Sequence, residues 1–217
     1  MGTSPARDRV FSGQELAGFL LRACHDLRSQ LRAIRAHSEL LAKQPAESAD
    51  DPRLGFILQG ATNLEELIEG LTGYALALRI DPSAFTPTPT GVLLRTALAH
   101  LGRQPHQYAE VTYGEMPRVL GNPDRITQLF ENLLRHRGRL ATELHVSASR
   151  QAEFWQFTFR DNGPGLEPGD GERMFEPFTH GLGLAAAREI VERHGGKIRA
   201  ERQPEAGCTI VFELPAG

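Results

Sequence analysis

Cysteine, tryptophan and long apolar runs are all scarce in this chain of 217 residues. Its two cysteines, Cys24 and Cys208, lie far apart and lack the spacing of metal ligands, so we expect a reduced, cytoplasmic protein without a disulfide framework. No apolar stretch approaches the roughly 20 residues that a membrane span needs, and no signal-peptide pattern opens the chain. We therefore expect no membrane segment.

An excess of positive charge is also absent. Lysine and arginine number 24 against 27 aspartate and glutamate residues, which gives a formal net charge of −3 and a pI near 6.2. A chain without an excess of lysine and arginine is not expected to have a nucleic-acid partner. The hydrophobic content of 40% is typical of a globular protein with a packed core.

Two long amphipathic patterns open the chain. Apolar residues at intervals of three and four predict a first helix from Gly13 to Lys43, with Ser12 as its N-cap and one apolar stripe along one face. The stripe comprises Leu16, Leu20, Ala23, Leu27, Leu31 and Ile34. A turn-rich segment over 44–52 precedes a second periodic run over 54–78. Such a hairpin has apolar faces left to cover, which predicts a homodimer with a four-helix bundle.

Three prolines interrupt the helical pattern between Ile80 and Thr90 and predict a domain boundary, with one domain over 12–80 and a second over 87–217. The second part mixes helices with strands, which favours an α+β sandwich. Helices are predicted over 92–101, 122–137 and 184–194, with a short helix before the last of these, and His194 is expected at the surface or in a loop. The second of these helices has Asn122 as its predicted cap and a predicted buried side that comprises Ile126, Leu129, Phe130, Leu133 and Leu134. Strands are predicted over 111–113, 118–120, 144–148, 154–159, 197–201 and 208–214.

His25 stands out on the first predicted helix, because it is turned off the apolar stripe and should reach solvent. Asp26 follows it directly, and Arg22, Arg28 and Arg32 make its surroundings basic. An imidazole held beside a carboxylate is a competent nucleophile, since the acid can fix the tautomer and take up developing positive charge. A lone histidine in such a place is nevertheless more typical of a solvated surface.

Two glycine-rich loops lie far downstream. Asp161 to Gly165 follows a predicted strand, and glycines there let the backbone approach an adenine or phosphate ligand. Gly181 to Leu184 opens a helix, whose N-terminal amides can receive phosphate. Either loop alone is more typical of an ordinary turn. Their order and spacing, with Phe175 to Phe178 between them, point to a nucleotide site.

Together these motifs resemble the catalytic core of two-component sensor histidine kinases over nearly the whole chain. Cys24 to Leu31 resembles the H-box, and Asp124 to Leu134 the start of the N-box. Residues 161–165 resemble the first glycine box and 174–178 the phenylalanine box. Residues 181–185 resemble the second glycine box, and 190–196 the tail that follows it. The resemblance implies a bacterial protein with a dimerisation and histidine-phosphotransfer hairpin followed by a Bergerat-fold (GHKL) ATP-binding domain.

The resemblance also implies roles for residues. His25 would be the phosphoacceptor and Asp26 its acidic neighbour, while Ser29 stands where the family places a residue that orients water for dephosphorylation. ATP and Mg²⁺ would be the cofactors, with Asn132 as magnesium ligand, and a response-regulator receiver domain would be the partner. The implied nucleotide-binding residues are Asn132, Arg139, Asp161, Gly163, Gly165, Phe178, Gly181, Gly183 and Leu184; in the family, the residue at Asp161 contacts adenine.

The chain departs from the family pattern at the nucleotide site. The second N-box position, where the family has a magnesium-binding asparagine, holds His136, and an alignment with a short deletion near Arg135 loses that position altogether. Magnesium prefers oxygen ligands. Only Thr179 and His180 separate the phenylalanine box from the second glycine box, where the family has a lid of a dozen residues or more. In the H-box, Gln30 stands in place of the usual proline.

Several functions therefore stay open at this stage. One is an ATP-dependent histidine kinase that phosphorylates His25 and passes the group to a receiver aspartate. Another is a degenerate kinase that acts as an ATP-independent histidine phosphotransferase or phosphatase. An ATP hydrolase or chaperone is less favoured, because Gln128 stands one turn before Asn132 and Glu131 is expected on another face. A purely structural dimer would make His25 incidental.

Overall fold

Two long helices, α1 (Gly13–Ala42) and α2 (Pro52–Ala77), form a hairpin. Arg35 of α1 pairs with Glu65 of α2, and Arg28 with Thr72, so the helices run antiparallel. The computed structural model describes residues 13–42, 52–102, 109–136, 141–167, 169–179, 181–203 and 207–217. The predicted N-cap Ser12, Lys43 and the connecting segment up to residue 51 lie outside these described residues.

The hairpin core is a pair of rows with a seven-residue repeat. Among the described residues, the buried members of these rows are Ala17, Cys24, Leu31 and Ser38 on α1, and Leu54, Ala61, Ile68 and Ala75 on α2. The single stripe predicted for α1 is wrong in this respect, since Leu27 and Ile34 are 48% and 51% exposed. When two helices pack as in a coiled coil, each buries one row of apolar residues against the other helix. The neighbouring apolar row of each helix then stays exposed and can pack against another partner.

The proline-rich stretch after α2 is structured rather than a plain linker. Asp81 accepts a hydrogen bond from the Ser83 amide at 2.9 Å and caps a single 3₁₀ turn over Pro82–Ala84. Strand β1 (Thr86–Pro89) then pairs antiparallel with β3 (Arg118–Gly121). Proline is tolerated here because a two-stranded sheet leaves one side of each strand without ladder hydrogen bonds.

A five-stranded sheet forms the body of the second part. Its strands, in spatial order, are β2 (Glu110–Tyr113), β4 (Glu143–Gln151), β5 (Phe154–Asp161), β7 (Cys208–Pro215) and β6 (Ile198–Arg202). Only the β2–β4 pair is parallel, and the other neighbours are antiparallel. The mixed α+β class is as predicted. The helices of this part are α3 (Thr90–Leu101), α4 (Pro123–Arg135), α5 (Asp170–Arg173) and α6 (Gly183–Arg193).

Helix α4 joins the helical layer to the sheet. Asn122 caps it by accepting a hydrogen bond from the Arg125 amide at 3.1 Å, as the sequence predicts. The whole predicted inner face is buried: Ile126, Leu129, Phe130, Leu133 and Leu134. The Phe130 ring lies 5.9 Å from Phe159 and 6.1 Å from Phe157, measured between centroids. These contacts fix the position of the polar face of α4, which carries the N-box residues.

Candidate functional site

A cleft of about 1520 Å³ lies between the hairpin and the second part of the chain. Helix α2 forms one wall, α4 with the end of α3 forms the opposite wall, and the loop that leads into α6 closes one end. Arg28 is the residue of α1 that lines it. The cleft thus combines surfaces from both predicted domains.

The glycine loop at the closed end lies against the N-box helix. Gly181 has a φ of +84°, a conformation that disfavours side chains, and Gly183 begins α6. A Cβ on Gly183 would stand 3.5 Å from Asn132 Oδ1, so the two residues are in contact distance, while Leu184 is buried in the core. The structure therefore brings together four of the predicted nucleotide-binding residues, Asn132, Gly181, Gly183 and Leu184.

Asn132 carries an unusual polar atom. Its Nδ2 is buried and has no hydrogen-bond partner among the described residues. A buried donor without an acceptor costs roughly 1–3 kcal/mol. The Asn132 side chain lies beside Gly183, where α6 begins, and the first amides of a helix bind anions. A phosphate oxygen is therefore a chemical group that suits this donor. The residues present thus fit a nucleotide phosphate.

The first glycine loop is held together by its own aspartate. Asp161 Oδ1 accepts hydrogen bonds from the amides of Gly163 at 2.8 Å and Cys208 at 3.3 Å. Gly165 has a φ of +82° and packs against the backbone of Gly207. Burial, followed by the charge of Asp161, raises the pKa of the Cys208 thiol to about 12. None of these residues lines the cleft described above, so this loop is a separate part of the site.

The connection between the phenylalanine box and the second glycine box is short, as the sequence indicates. Phe178 is 66% exposed and has a φ of +69°, which is rare outside glycine. The Thr179 amide donates to the Glu176 carbonyl at 3.3 Å, which closes a turn there. The predicted phosphate-binding Arg139 and the lid residue His180 lie outside the described residues.

His25 has the exposure that its helix position predicts, with 78% of its side chain open to solvent. Its Nδ1 lies 3.3 Å from Asp26 Oδ1. This contact favours the tautomer with the proton on Nδ1, which leaves Nε2 as a nucleophile. Ser29 is exposed one turn further along α1. His25 does not line the cleft, whereas Arg28, three residues later, does.

Two polar residues have surroundings that the sequence does not predict. Glu131 lines the cleft together with Asn132, and its carboxylate lies 2.6 Å from His100 Nδ1, so it does not face away from the site. His194, expected at the surface or in a loop, stands in the turn after α6 but is only 4% exposed. Their surroundings depend on residues elsewhere in the chain, His100 of α3 for Glu131 and Phe85 with Asn122 for His194, which periodicity along one helix cannot reveal.

The contact between α2 and the second glycine loop was also missed by the sequence analysis. A Cβ on Gly70 would lie 3.1 Å from the Leu182 Cβ, so α2 approaches the second glycine loop closely. Tyr74 lies half-buried near α6, where burial and then the charges of Glu189 and Glu192 raise its pKa. Glycine at position 70, one turn before Tyr74, is a signal of close helix approach that could have been recognised.

The fit to magnesium is poorer than the fit to phosphate. Asn132 Oδ1 is the kind of oxygen ligand that Mg²⁺ prefers, but the next N-box position is the His136 imidazole. Among the described residues, no three histidine, cysteine, aspartate or glutamate side chains come together as a metal site.

Comparison with known proteins identifies the second part of the chain. Residues 121–217 match the family model of the "Histidine kinase-, DNA gyrase B-, and HSP90-like ATPase". The phytochrome-like protein Cph1 of Synechocystis is 30% identical over 98% of this chain, and the signal transduction histidine-protein kinase BaeS of Escherichia coli is 29% identical over 91%. The chain spans 31% and 46% of these two relatives, so less than half of either.

Solved structures agree on the fold. Full-length ShkA in complex with AMPPNP superposes with a TM-score of 0.71 at 20% identity, over 92% of this chain and 46% of that one. The histidine kinase ThkA in complex with the response regulator protein TrrA gives a TM-score of 0.63 at 21% identity, over 90% and 60% of the two chains. No helix among the described residues is long and apolar enough to cross a membrane.

Proposed function

Since the chain belongs to the two-component histidine kinases and spans their catalytic core, we propose that it transfers the γ-phosphoryl group of ATP to His25 and then to an aspartate of a response-regulator receiver domain. The transfer is an in-line displacement at phosphorus, in which positioning and electrostatic stabilisation supply most of the rate. The hairpin over 12–80 provides the phosphoacceptor, and the domain over 87–217 binds the nucleotide.

The observation that carries this proposal is the Asn132 side chain, whose Nδ2 is buried without a partner among the described residues and whose Oδ1 lies 3.5 Å from the place of a Cβ on Gly183. A degenerate domain that has lost its nucleotide has no reason to keep a buried amide without a partner, because hydrophobic replacement would be neutral or stabilising. The donor is accounted for when a phosphate oxygen accepts from it. Asn132, Gly181, Gly183 and Leu184 thus form the phosphate end of the proposed site, and Asp161, Gly163, Gly165 and Phe178 the adenine end.

The reacting group is the His25 imidazole. Asp26 holds the proton on Nδ1, so that the Nε2 lone pair attacks the γ-phosphorus, while the bond to the bridging oxygen breaks and its electron pair leaves with ADP. Ser29 is exposed one turn later on α1, and its proposed role is to orient the water that removes the phosphoryl group again. Because His25 lies outside the cleft, the nucleotide domain must move along the hairpin or serve the partner protomer.

A homodimer and a receiver-domain partner complete the proposal. The open row of the hairpin, which includes Leu27, Ile34, Ile57 and Leu64, is 39–51% exposed and suits a second hairpin in a four-helix bundle. The related ThkA is seen with a response regulator, which supports a receiver domain as the acceptor. Sedimentation equilibrium tests the dimer, and substitution of Leu27 and Ile34 by glutamate should give monomers.

The deciding experiment is incubation with γ-labelled ATP and Mg²⁺, followed by an assay for acid-labile, base-stable label. We expect label on the native chain and none on His25→Gln. His37→Gln is the matched control, since His37 is also exposed on α1. An unlabelled native chain would contradict kinase activity; label on His25 from a phosphorylated receiver domain without ATP would then identify the ATP-independent phosphotransferase.

A further inference from the structure

A histidine and a glutamate from two different helices form a close pair on one wall of the cleft. His100, in the last turn of α3, places its Nδ1 2.6 Å from Oε1 of Glu131 on α4. An ionised carboxylate can only accept hydrogen bonds, so this contact holds the proton of the neutral imidazole on Nδ1. Nε2 then keeps its lone pair. The His100 side chain lines the cleft and is 51% exposed, so this wall of the cleft carries a base.

The carboxylate equips this imidazole for proton transfer. When Nε2 takes up a proton, the negative charge of Glu131 stabilises the imidazolium cation that forms. The Glu131 side chain is only 21% exposed, so solvent screens this pair less than it screens a pair at the open surface. The pair of His25 and Asp26 is of the latter kind, with a distance of 3.3 Å and side chains that are 78% and 84% exposed.

The pair adjoins the phosphate end of the proposed nucleotide site. Glu131 directly precedes Asn132, whose side chain lies beside Gly183, and all three residues line the cleft. Water has room here, because the cleft of about 1520 Å³ is far larger than the roughly 30 Å³ that one water molecule occupies in the liquid. The link of two residues between the phenylalanine box and the second glycine box also replaces a long lid, the kind of segment that excludes water.

We propose that the chain has a second activity, the hydrolysis of ATP to ADP and inorganic phosphate, with His100 as the general base. A water oxygen attacks the γ-phosphorus while His100 Nε2 takes one of the water protons. The bond from the γ-phosphorus to the bridging oxygen breaks, and its electron pair leaves with ADP. Glu131 is a positioning residue that keeps the proton on Nδ1 and takes up no proton itself.

This activity rests on the proposed function only for the presence of ATP in the cleft, since His25 takes no part in it. The base belongs to α3, outside the N-box helix α4. Water and His25 therefore compete for the same γ-phosphoryl group. Hydrolysis proceeds while the nucleotide domain is away from the phosphoacceptor, which lies outside the cleft.

Release of inorganic phosphate from ATP by the His25→Gln chain tests the proposal, because this variant has no phosphoacceptor at position 25. In that background, at a fixed magnesium concentration, His100→Gln should lower the maximal rate about 100-fold, the low end of what a general base contributes. The ATP concentration for half-maximal rate should stay within about twofold, since the base acts in the chemical step. Glu131→Gln should lower the maximal rate about 10-fold, because its amide oxygen still accepts from Nδ1 but carries no full charge.

His145→Gln is the matched control in the same background. His145 is exposed and has a polar partner, the Thr72-independent hydroxyl of Thr112 at 2.9 Å, but it lies on β4 and does not line the cleft. Its substitution should leave phosphate release unchanged. An equal maximal rate with and without His100→Gln would overturn the proposal, as would the absence of phosphate release from His25→Gln. If His100→Gln does not fold, Glu131→Gln decides.

Thermal unfolding and labelling of His25 complete the test. A lower melting temperature of His100→Gln with an unchanged maximal rate would show that the pair only joins α3 to α4. Label on His25 of the native chain, without phosphate release that depends on His100, would refute hydrolysis and leave the kinase proposal intact. Release that depends on His100 in a chain that never labels His25 would refute the kinase proposal instead.

Discussion

The rings of Phe85 and His194 stack 4.4 Å apart with only 7° between their planes. Phe85 belongs to the segment that joins the hairpin to the second domain, and His194 ends α6. His194 Nδ1 lies 2.7 Å from the Ile190 carbonyl, and its Nε2 accepts from the Asn122 amide at 3.1 Å. A neutral ring with the proton on Nδ1 satisfies both contacts, so this histidine ties the interdomain segment to α6 and to the N-cap of α4.

Acidic conditions should therefore weaken the fold through His194. Burial lowers the pKa of His194 below its usual 6.5, and a proton on Nε2 would face the Asn122 N–H. The unfolded chain then binds protons more readily than the folded one, so stability is fully present above pH 6.5 and falls as the pH drops below it. Urea midpoints measured from about pH 7.5 to about pH 5.5 should decrease in the native chain and vary less in His194→Gln. Equal slopes in both proteins would contradict this role.

The approach of α2 to the second glycine loop should depend on Gly70. A side chain there would press against Leu182, so Gly70→Val should separate the hairpin from the nucleotide domain. Gly60→Val is a matched control on the same helix, because nothing lies within 4 Å of the Cβ it would add. We expect faster hydrogen exchange at residues 181–184 in Gly70→Val alone. Unchanged exchange there would mean that the contact does not restrict the loop.

Asn132 offers a test that separates ligand binding from folding. Asn132→Ala removes a buried donor that has no partner among the described residues, so the free energy of unfolding should change by no more than about 1 kcal/mol. ATP affinity, in contrast, should fall about 10-fold with the loss of a charge-assisted hydrogen bond. Calorimetric titration and urea denaturation of the same variant measure both. A large loss of stability with unchanged affinity would assign Asn132 to the fold instead.

A substitution at His136 tests the metal side of the site. His136→Asn places an amide oxygen at the second N-box position, where the family has a magnesium-binding asparagine. The Mg²⁺ concentration for half-maximal labelling of His25 should therefore decrease, by roughly tenfold. His37→Asn, an exposed position on α1, is the control for a general effect of the substitution. The same magnesium dependence in native chain and His136→Asn would show that this position does not reach the metal.

What the sequence could predict follows from how local each feature is. The inner face of α4 and its Asn122 cap were predicted residue by residue, because a helical period and a cap are properties of one segment. The exposure of His25 beside Asp26 was predicted in the same way, from the helical period of one segment. The burial of His194 depends on Phe85 and Asn122, more than 70 positions away, and no periodicity contains that information.

The hairpin illustrates the same limit. Periodicity predicted one stripe on α1, but the seven-residue rows separate Leu31, which is 2% exposed, from Leu27 and Ile34. Which row faces α2 is decided by the packing of two helices, and a single helix pattern does not fix it. Arg28 was likewise seen as part of a basic surface, since its bond to Thr72 requires the antiparallel register of the hairpin.

The two carboxylate oxygens of Asp161 have different surroundings. One carboxylate oxygen already accepts from Gly163 and Cys208, so only the other oxygen is free for a base. In Asp161→Asn the amide oxygen must keep the two backbone contacts, which turns the free atom into an N–H₂ donor. Adenine presents its own amino group at C6, and guanine presents a carbonyl oxygen there.

Asp161→Asn should therefore fold like the native chain, bind ATP about 10-fold more weakly, and gain relative affinity for GTP. Asp161→Ala, which cannot accept from Gly163 or Cys208, should lose stability as well as nucleotide binding. Competition between ATP and GTP against a fluorescent nucleotide measures the ratio, and thermal unfolding separates the two variants. An unchanged ATP-to-GTP ratio in Asp161→Asn would place the base elsewhere, because a donor in this position can only favour the guanine carbonyl over the adenine amino group.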